Sequence, residues 1–293
     1  MISNIIQAIL QCYNANTMPA TLTTLSQSSL QDYVDCPRRF QLRYVDRLSY
    51  PAIESEPTLE NEKHQQAGEY FHRLVQQYLI GIPAEQISKL ANTPNLQRWW
   101  ENFLTSKDLT SLRNLSGLTL PEATLSAPLG QFRLLAKYDL IAIENNKVTI
   151  YDWKTYRKHP RNEFLAARMQ TRVYRALLVH AGAHLNKNQP FKPEQIEMVY
   201  WFSDFPNEPA RFAYTSAQYK RDWDALLKLA DEIKSASSYP LTDDRTKCLF
   251  CPYRSYCERG VHAGDVDQAD PSGETEAEEL FDVNFEQIGE IAF

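Results

Sequence analysis

The 293 residues are 43% hydrophobic and 23% charged, which excludes disorder throughout, and no window approaches the roughly 18 consecutive apolar residues of a membrane span. Net charge is -6, yet ten acidic residues and no Lys or Arg fall between Gly264 and Phe293, so residues 1–263 carry +4. A mildly basic body with an acidic tail is compatible with a polyanionic partner, and five cysteines without a charged signal region predict the cytoplasm and no disulfide scaffold.

Three regions are predicted: an uncharged leader over 1–25, one domain over 26–260, and an acidic tail over 261–293 expected to be disordered. In the leader, Ile2, Ile5, Ile6, Ile9, Leu10 and Tyr13 recur at helical spacing and suggest a short docking helix, although Met18 offers a rival translation start. Ser28 is a candidate cap for a helix through Leu30, Tyr33 and Val34, continuing after Pro37 to Val45. A polar segment from Pro51 to Gln66 reads as a loop. Phe71, Leu74, Val75 and Tyr78 predict a helix over Gly68–Leu79, and a second helix spans about Asn95–Leu104. From Glu122 to Trp153 the pattern switches to strands. Glu163–His180 returns to helix, Ile196–Ser203 is a strand, Pro206–Pro209 a turn, Arg211–Tyr214 a strand and Ala217–Ser235 a helix. The expected fold is α/β, with a central mixed sheet flanked by helices.

Asn145-Asn146 between two β-rich runs predicts a two-residue type I′ turn, because Asn tolerates the positive φ that both positions need. Glu144 then faces Lys147, and the same register sets Asp139 opposite Asp152. Opposed residues share a face with Cβ atoms about 5 Å apart, so two carboxylates meet in an apolar sheet, and Lys154 follows on that face. Two hard oxygen ligands beside a Lys suit a divalent cation that binds a phosphodiester. An isolated D-x-K is more often a pair of polar residues on a strand edge facing water, and the register changes those odds.

Cys248, Cys251 and Cys257 form a C-x2-C-x5-C array, and Cys36 stands far upstream; four such thiolates would staple the chain ends around zinc or an iron-sulfur cluster, between which spacing does not decide. Cys12 is left over as a small buried hydrophobe. Gln170 and Tyr174 share a helix face, where they could position the nucleophile or contact the scissile strand. Arg168, Arg172 and Arg175 read as a solvated face. Arg157, Lys158 and Arg161, which follow the strand bearing Lys154, and Arg38, Arg39 and Arg43, beside Cys36, are candidate phosphate contacts. Trp99, Trp100 and Trp153 are candidates for stacking on bases, with burial in the core the commoner fate of such residues.

Asp139, then Asp152-Trp153-Lys154-Thr155, then Gln170-x3-Tyr174 resembles the PD-(D/E)XK nuclease superfamily, specifically its RecB-type branch. Gly68-Glu69-Tyr70-Phe71-His72 is similar to that family's upstream helix motif, and Cys36 with the terminal cysteine array is similar to the iron-sulfur subset that includes the AddB nuclease domain and the CRISPR-associated iron-sulfur exonucleases. The resemblance covers roughly Ser26 to Arg259. It departs in having Ala136 where the family usually has Gly and Asp152 in place of Glu. It implies a restriction-endonuclease-like core, His72, Asp139 and Asp152 as ligands of Mg2+ or Mn2+, Lys154 as the catalytic cation with Gln170 and Tyr174 beside it, and a 4Fe-4S cluster on the four cysteines in preference to zinc. The implied activity is hydrolysis of DNA, by an exonuclease on single strands or ends, in repair, recombination or CRISPR-type processing, with a helicase or a CRISPR or repair protein as partner and no membrane. A DNA-binding or adaptor protein built on the same fold is the alternative.

Overall fold

A computed structural model describes residues 22–48, 58–109, 112 and 115–260. The leader helix, Cys12, Met18 and the acidic tail of the sequence reading lie outside the described residues. The described strands form one six-stranded sheet: β1 (Thr24–Ser26), β2 (Leu118–Leu129), β3 (Phe132–Glu144), β4 (Lys147–Lys154), β5 (Ile196–Phe202) and β6 (Phe205–Ala213). Its order is β1-β3-β4-β5-β6, with β2 also on β3. β2 and β3 pair antiparallel from Leu118↔Ile143 to Leu129↔Phe132, so β2 occupies one edge of β3 along nearly its whole length. β1, parallel, and β4, antiparallel, therefore share the other edge: β1 ends its pairing at Leu135 and β4 begins at Leu140. Between them the edge of β3 from Ala136 to Asp139 changes partners, and the carbonyl of Lys137 there accepts the Tyr174 hydroxyl at 2.6 Å.

The hairpin adopts the expected turn, with φ of 47° at Asn145 and 66° at Asn146, and Glu144 faces Lys147. β4 and β5 run parallel from Val148↔Ile196 to Lys154↔Phe202. Pro206 to Pro209 is not a turn: the reversal comes at Ser203-Asp204, and both prolines lie in β6, the terminal strand of the sheet, where a missing N–H is tolerated.

Helix α1 (Gln27–Asp35) is capped by Ser26 and not Ser28, through a reciprocal pair in which Ser29 N donates to Ser26 Oγ at 3.1 Å and Ser26 N to Ser29 Oγ at 2.8 Å. A short α2 (Pro37–Phe40) with proline at its start runs into a π turn over Gln41–Val45. α3 (Thr58–Leu79) begins well before Gly68, so the predicted loop is helical from Thr58. α4 (Ala84–Ser88) and α5 (Pro94–Thr105) follow. The helix predicted over Glu163–His180 is two, α6 (Asn162–Ala167) and α7 (Met169–Ala181), broken at an extended Arg168. The break frees Met169 N–H to donate to Gln31 Oε1 of α1 at 3.0 Å, a tertiary cap that periodicity does not reveal. α8 (Ser216–Ser235) packs on α7. Among the described residues, no helix is long and apolar enough to cross a membrane.

The sheet has an apolar layer on each face. Val148, Ile150, Met198 and Tyr200 join Leu30, Val173, Leu177 and Leu226 on the α1, α7 and α8 side. Tyr151, Trp153, Val199 and Trp201 join Phe71, Trp99, Trp100 and Phe103 on the α3 and α5 side. Trp99, Trp100 and Trp153 are thus core residues, closed to bases. Strand alternation then places Asp152 and Lys154 on the α7 side, in step with Val148 and Ile150. β3 behaves differently: Tyr138 and Ile141 both belong to the α7 side, so the strand changes face at Asp139.

Candidate active site

The carboxylates meet where β3 changes partners. The regular β3–β4 pairing stops at Leu140↔Tyr151, one step before Asp139 and Asp152 would oppose one another. Asp139 Oδ2 instead accepts the Trp153 backbone N–H at 2.7 Å, and Oδ1 lies 3.2 Å from His72 Nδ1. Asp152 is buried, with Oδ2 3.0 Å from Lys154 Nζ and Oδ1 accepting Gln170 Nε2 at 2.7 Å. The same Gln170 nitrogen donates to the Tyr174 hydroxyl at 3.3 Å. Five predicted residues, His72, Asp139, Asp152, Lys154 and Gln170, are therefore brought together from α3, β3, β4 and α7, with Tyr174 behind Gln170.

Helix α3 reaches the site through residues one turn apart. His64 Nε2 is 2.7 Å from the carbonyl oxygen of Thr155, Gly68 packs against the Thr155 side chain, and His72 reaches Asp139. A Cβ on Gly68 would stand 2.8 Å from Thr155 Oγ1, so the close approach needs glycine. His64 escaped the sequence reading because its neighbours are polar, but its spacing of four from Gly68 and eight from His72 was a usable signal. Lys154 Nζ lies 5.8 Å from the ring centroids of both Tyr156 and Tyr200. Tyr200 was also missed: it reads as one more aromatic in an apolar run, and only the parallel register sets it against Asp152.

Electrostatics keep the cluster charged. Burial works against protonation of His72, but the charge and hydrogen bond of Asp139, and then Asp152, outweigh it and raise its pKa to about 9. Burial would raise the Asp139 carboxyl, and His72, the Trp153 N–H and Lys154 together hold it below its ordinary value. The two carboxylates are hard oxygen donors of the kind Mg2+ or Mn2+ takes, and the imidazole beside them is a borderline donor. Among the described residues no three His, Cys, Asp or Glu side chains close into a metal-holding group. In this arrangement His72 and Lys154 supply the positive charge beside the carboxylates.

Cys36, Cys248, Cys251 and Cys257 are free thiols that line one pocket together with Arg39, Lys247, Arg254 and Arg259. Burial pushes the Cys251 thiol up to about 11 against the pull of Arg39, and burial followed by Cys36 raises Cys257. The first and last described segments are tied around this pocket by Arg38 N–H donating to the Pro240 carbonyl at 3.2 Å and by the Tyr253 hydroxyl donating to the Leu48 carbonyl at 2.9 Å. The four are soft donors that share one pocket but do not close into a metal-holding group.

The basic residues divide. Arg39 is paired with Asp32 at 2.7 Å and Asp35 at 3.1 Å, Arg43 with Asp32 at 3.2 Å, and Arg38 donates to Gln41, so this group is engaged beside the cysteine pocket. Arg157, Lys158 and Arg161 are exposed on the segment that leaves Lys154. Arg175 corrects the expectation of a solvated face: it is buried, donates to the carbonyls of Thr171 at 2.9 Å and Ala213 at 3.0 Å, and lies 4.4 Å above the Tyr214 ring.

No curated protein matches the chain. Among solved structures it is similar to SSO0001, at 13% identity and a TM-score of 0.39 over 89% of this chain and 97% of the other. It is also similar to an exonuclease candidate from Eubacterium rectale, at 10% identity and a TM-score of 0.47 over 79% and 89%. The sequence profile of the PD-(D/E)XK nuclease superfamily matches residues 24–258, a span that contains His72, Asp139, Asp152, Lys154, Gln170 and all four pocket cysteines. The chain belongs to the PD-(D/E)XK nuclease superfamily.

Proposed function

We propose that this chain is a divalent-metal-dependent deoxyribonuclease, an exonuclease that works on single-stranded DNA or DNA ends. The observation that carries the reading is the buried contact between Asp152 and Lys154 beside Asp139, at the C-terminal end of β4. Mg2+ or Mn2+ held by His72, Asp139 and Asp152 would supply Lewis acidity at the scissile phosphate and acidify a bound water. Lys154, fixed between Asp152 and two aromatic rings, presents its ammonium where negative charge develops on the phosphorane. Gln170 orients Asp152, and Tyr174 orients Gln170. Arg157, Lys158 and Arg161 stand on the segment that leaves the site and are suited to contact the phosphates on either side.

The four-cysteine pocket is the proposed seat of a 4Fe-4S cluster, whose net negative charge the Arg39, Lys247, Arg254 and Arg259 lining offsets. The motif order of the RecB-type branch supports a place in DNA repair, recombination or CRISPR-type processing in the cytoplasm, alongside a helicase or another DNA-processing protein. Lys154→Ala tests the enzyme reading: metal-dependent degradation should fall by about two or more orders of magnitude with DNA affinity nearly unchanged. A wild-type chain with a full cluster that binds DNA but cleaves no single-stranded, blunt or tailed form would leave the DNA-binding or adaptor reading in its place.

A further inference from the structure

Gln170 touches Asp152 through a side chain whose two ends are nearly equal in size and opposite in effect. With its NH2 toward Asp152 it stabilises the carboxylate, and with its carbonyl there it repels it. Its neighbours hold the amide the right way round. Its nitrogen has two protons, and both are used, one on Asp152 Oδ1 at 2.7 Å and one on the Tyr174 hydroxyl at 3.3 Å. Its oxygen accepts from the Tyr200 hydroxyl at 3.3 Å. Tyr200 in turn lies 2.7 Å from Thr171 Oγ1, which is 2.5 Å from the Leu165 carbonyl.

Counting protons gives this chain a direction. Tyr200 and Thr171 have one hydroxyl proton each and share three contacts. If Thr171 gave its proton to Leu165 and Tyr200 gave its own to Thr171, the Gln170 oxygen would be left without a donor in a buried site. The Leu165 carbonyl has room for both the Arg168 N–H at 3.2 Å and the Thr171 hydroxyl at 2.5 Å, so Thr171 spends its proton there and Tyr200 is the donor left for the Gln170 oxygen. The arrangement that satisfies that oxygen is Tyr200 to Gln170 to Asp152. All three are buried, and Tyr200 is the registered partner of Asp152 across β4 and β5. The same Tyr200 ring faces Lys154 Nζ at 5.8 Å.

From this we propose that Tyr200 is a positioning residue that locks the Gln170 amide so that Asp152 is presented as an ordered ligand, an inference that rests on the metal-dependent nuclease reading. Tyr200→Phe keeps the ring over Lys154 and removes only the donor. It should lower kcat for DNA cleavage about tenfold and weaken Mn2+ binding, read by electron paramagnetic resonance of free Mn2+, by a similar factor. KM for DNA should stay near wild type, and Tm should fall by no more than the few degrees expected when one buried acceptor loses its donor. Tyr200→Phe with Gln170→Ala should be no worse than Gln170→Ala alone. If wild type cleaves and Tyr200→Phe leaves kcat and Mn2+ affinity unchanged, or if the two losses multiply, the inference falls and the nuclease reading stands. If wild type binds Mn2+ without cleaving DNA and Tyr200→Phe weakens that binding, the nuclease reading falls and the inference stands. A wild type that binds no Mn2+ overturns both.

Discussion

Replacing Gly68 by Ala sets two opposed effects against one another inside α3. Alanine favours a helix interior by about 0.8–1 kcal/mol over glycine. The added Cβ, however, would lie 2.8 Å from Thr155 Oγ1, inside the 3.0 Å that real Cβ atoms keep. Thr155 is poorly placed to yield: it is buried, its carbonyl is held by His64 at 2.7 Å, and rotating its hydroxyl away would bring round its methyl, now 3.8 Å off. Overpacking of this kind costs about 1–3 kcal/mol, so the clash outweighs the propensity gain. Stability should fall by about 0–2 kcal/mol, a Tm loss of up to about 8 °C in a fold of this size. The larger effect falls on the site, because His72 lies one turn beyond Gly68 and 3.2 Å from Asp139, and a lifted helix carries the imidazole with it. Displacing a reacting group by about 1 Å costs up to about 100-fold, so Mn2+-dependent cleavage should drop about 10- to 100-fold with DNA affinity retained. Calorimetry and a single-turnover cleavage assay read the two effects separately. A Gly68→Ala protein that melts higher and cleaves like wild type refutes the tight seat of α3 on Thr155.

His72 holds a proton up to about pH 9 in the metal-free protein, so Mg2+ or Mn2+ must displace it, and apparent affinity should climb about tenfold per pH unit until about pH 9. Titration calorimetry in buffers of different ionisation heat should find about one proton released, and heats independent of buffer would contradict the pairing. Without metal, the His72–Asp139 contribution to stability is complete below about pH 6.5 and is lost as pH rises through about 9, a trend visible in urea midpoints. Arg175→Met should lower unfolding free energy by about 1–3 kcal/mol in urea, and an unchanged midpoint would show that its two carbonyl contacts are not structural. Cys36→Ser should lower both iron content and Tm, and a protein that melts like wild type would deny the cysteine pocket a part in folding.

The hairpin was the most legible part of the chain, because Asn145-Asn146 admits few backbone conformations and fixes every pair up to Leu140↔Tyr151. The register failed one step later for a reason the sequence does not carry: β3 is shared by β1 and β4, and their junction falls at Asp139. Carboxylate proximity was foreseen, but not the Trp153 N–H that holds Asp139. Helix signals were weakest where tertiary contacts replace an apolar stripe, as at His64, which is held to the Thr155 carbonyl, and at Arg168, where Gln31 caps α7. Arg175 was misread because helical spacing gives the face of a residue, not what packs over it, and here Tyr214 and Ala213 do. Tyr200 and His64 stayed hidden because each acts across the fold, one through a parallel register and the other through a backbone carbonyl.

The two-residue turn at Asn145-Asn146 has a consequence for insertions and deletions. Surface turns ordinarily absorb changes of length, and a loop of this kind would be a tolerant place for one. Here the turn sets which face each arm presents, and strand side chains alternate with a period of two. Adding one residue at the turn and letting β4 slip by one against β3 would send Asp152 and Lys154 into the layer of Phe71 and Trp99, and turn Tyr151 and Trp153 toward α7. The buried apolar layers resist such a slip, so the extra residue is forced into a bulge at the tip, beyond the Glu144↔Lys147 pair. A pair of inserted residues preserves facing and lengthens only the exposed tip. Tolerance at this turn should therefore follow the parity of the insertion.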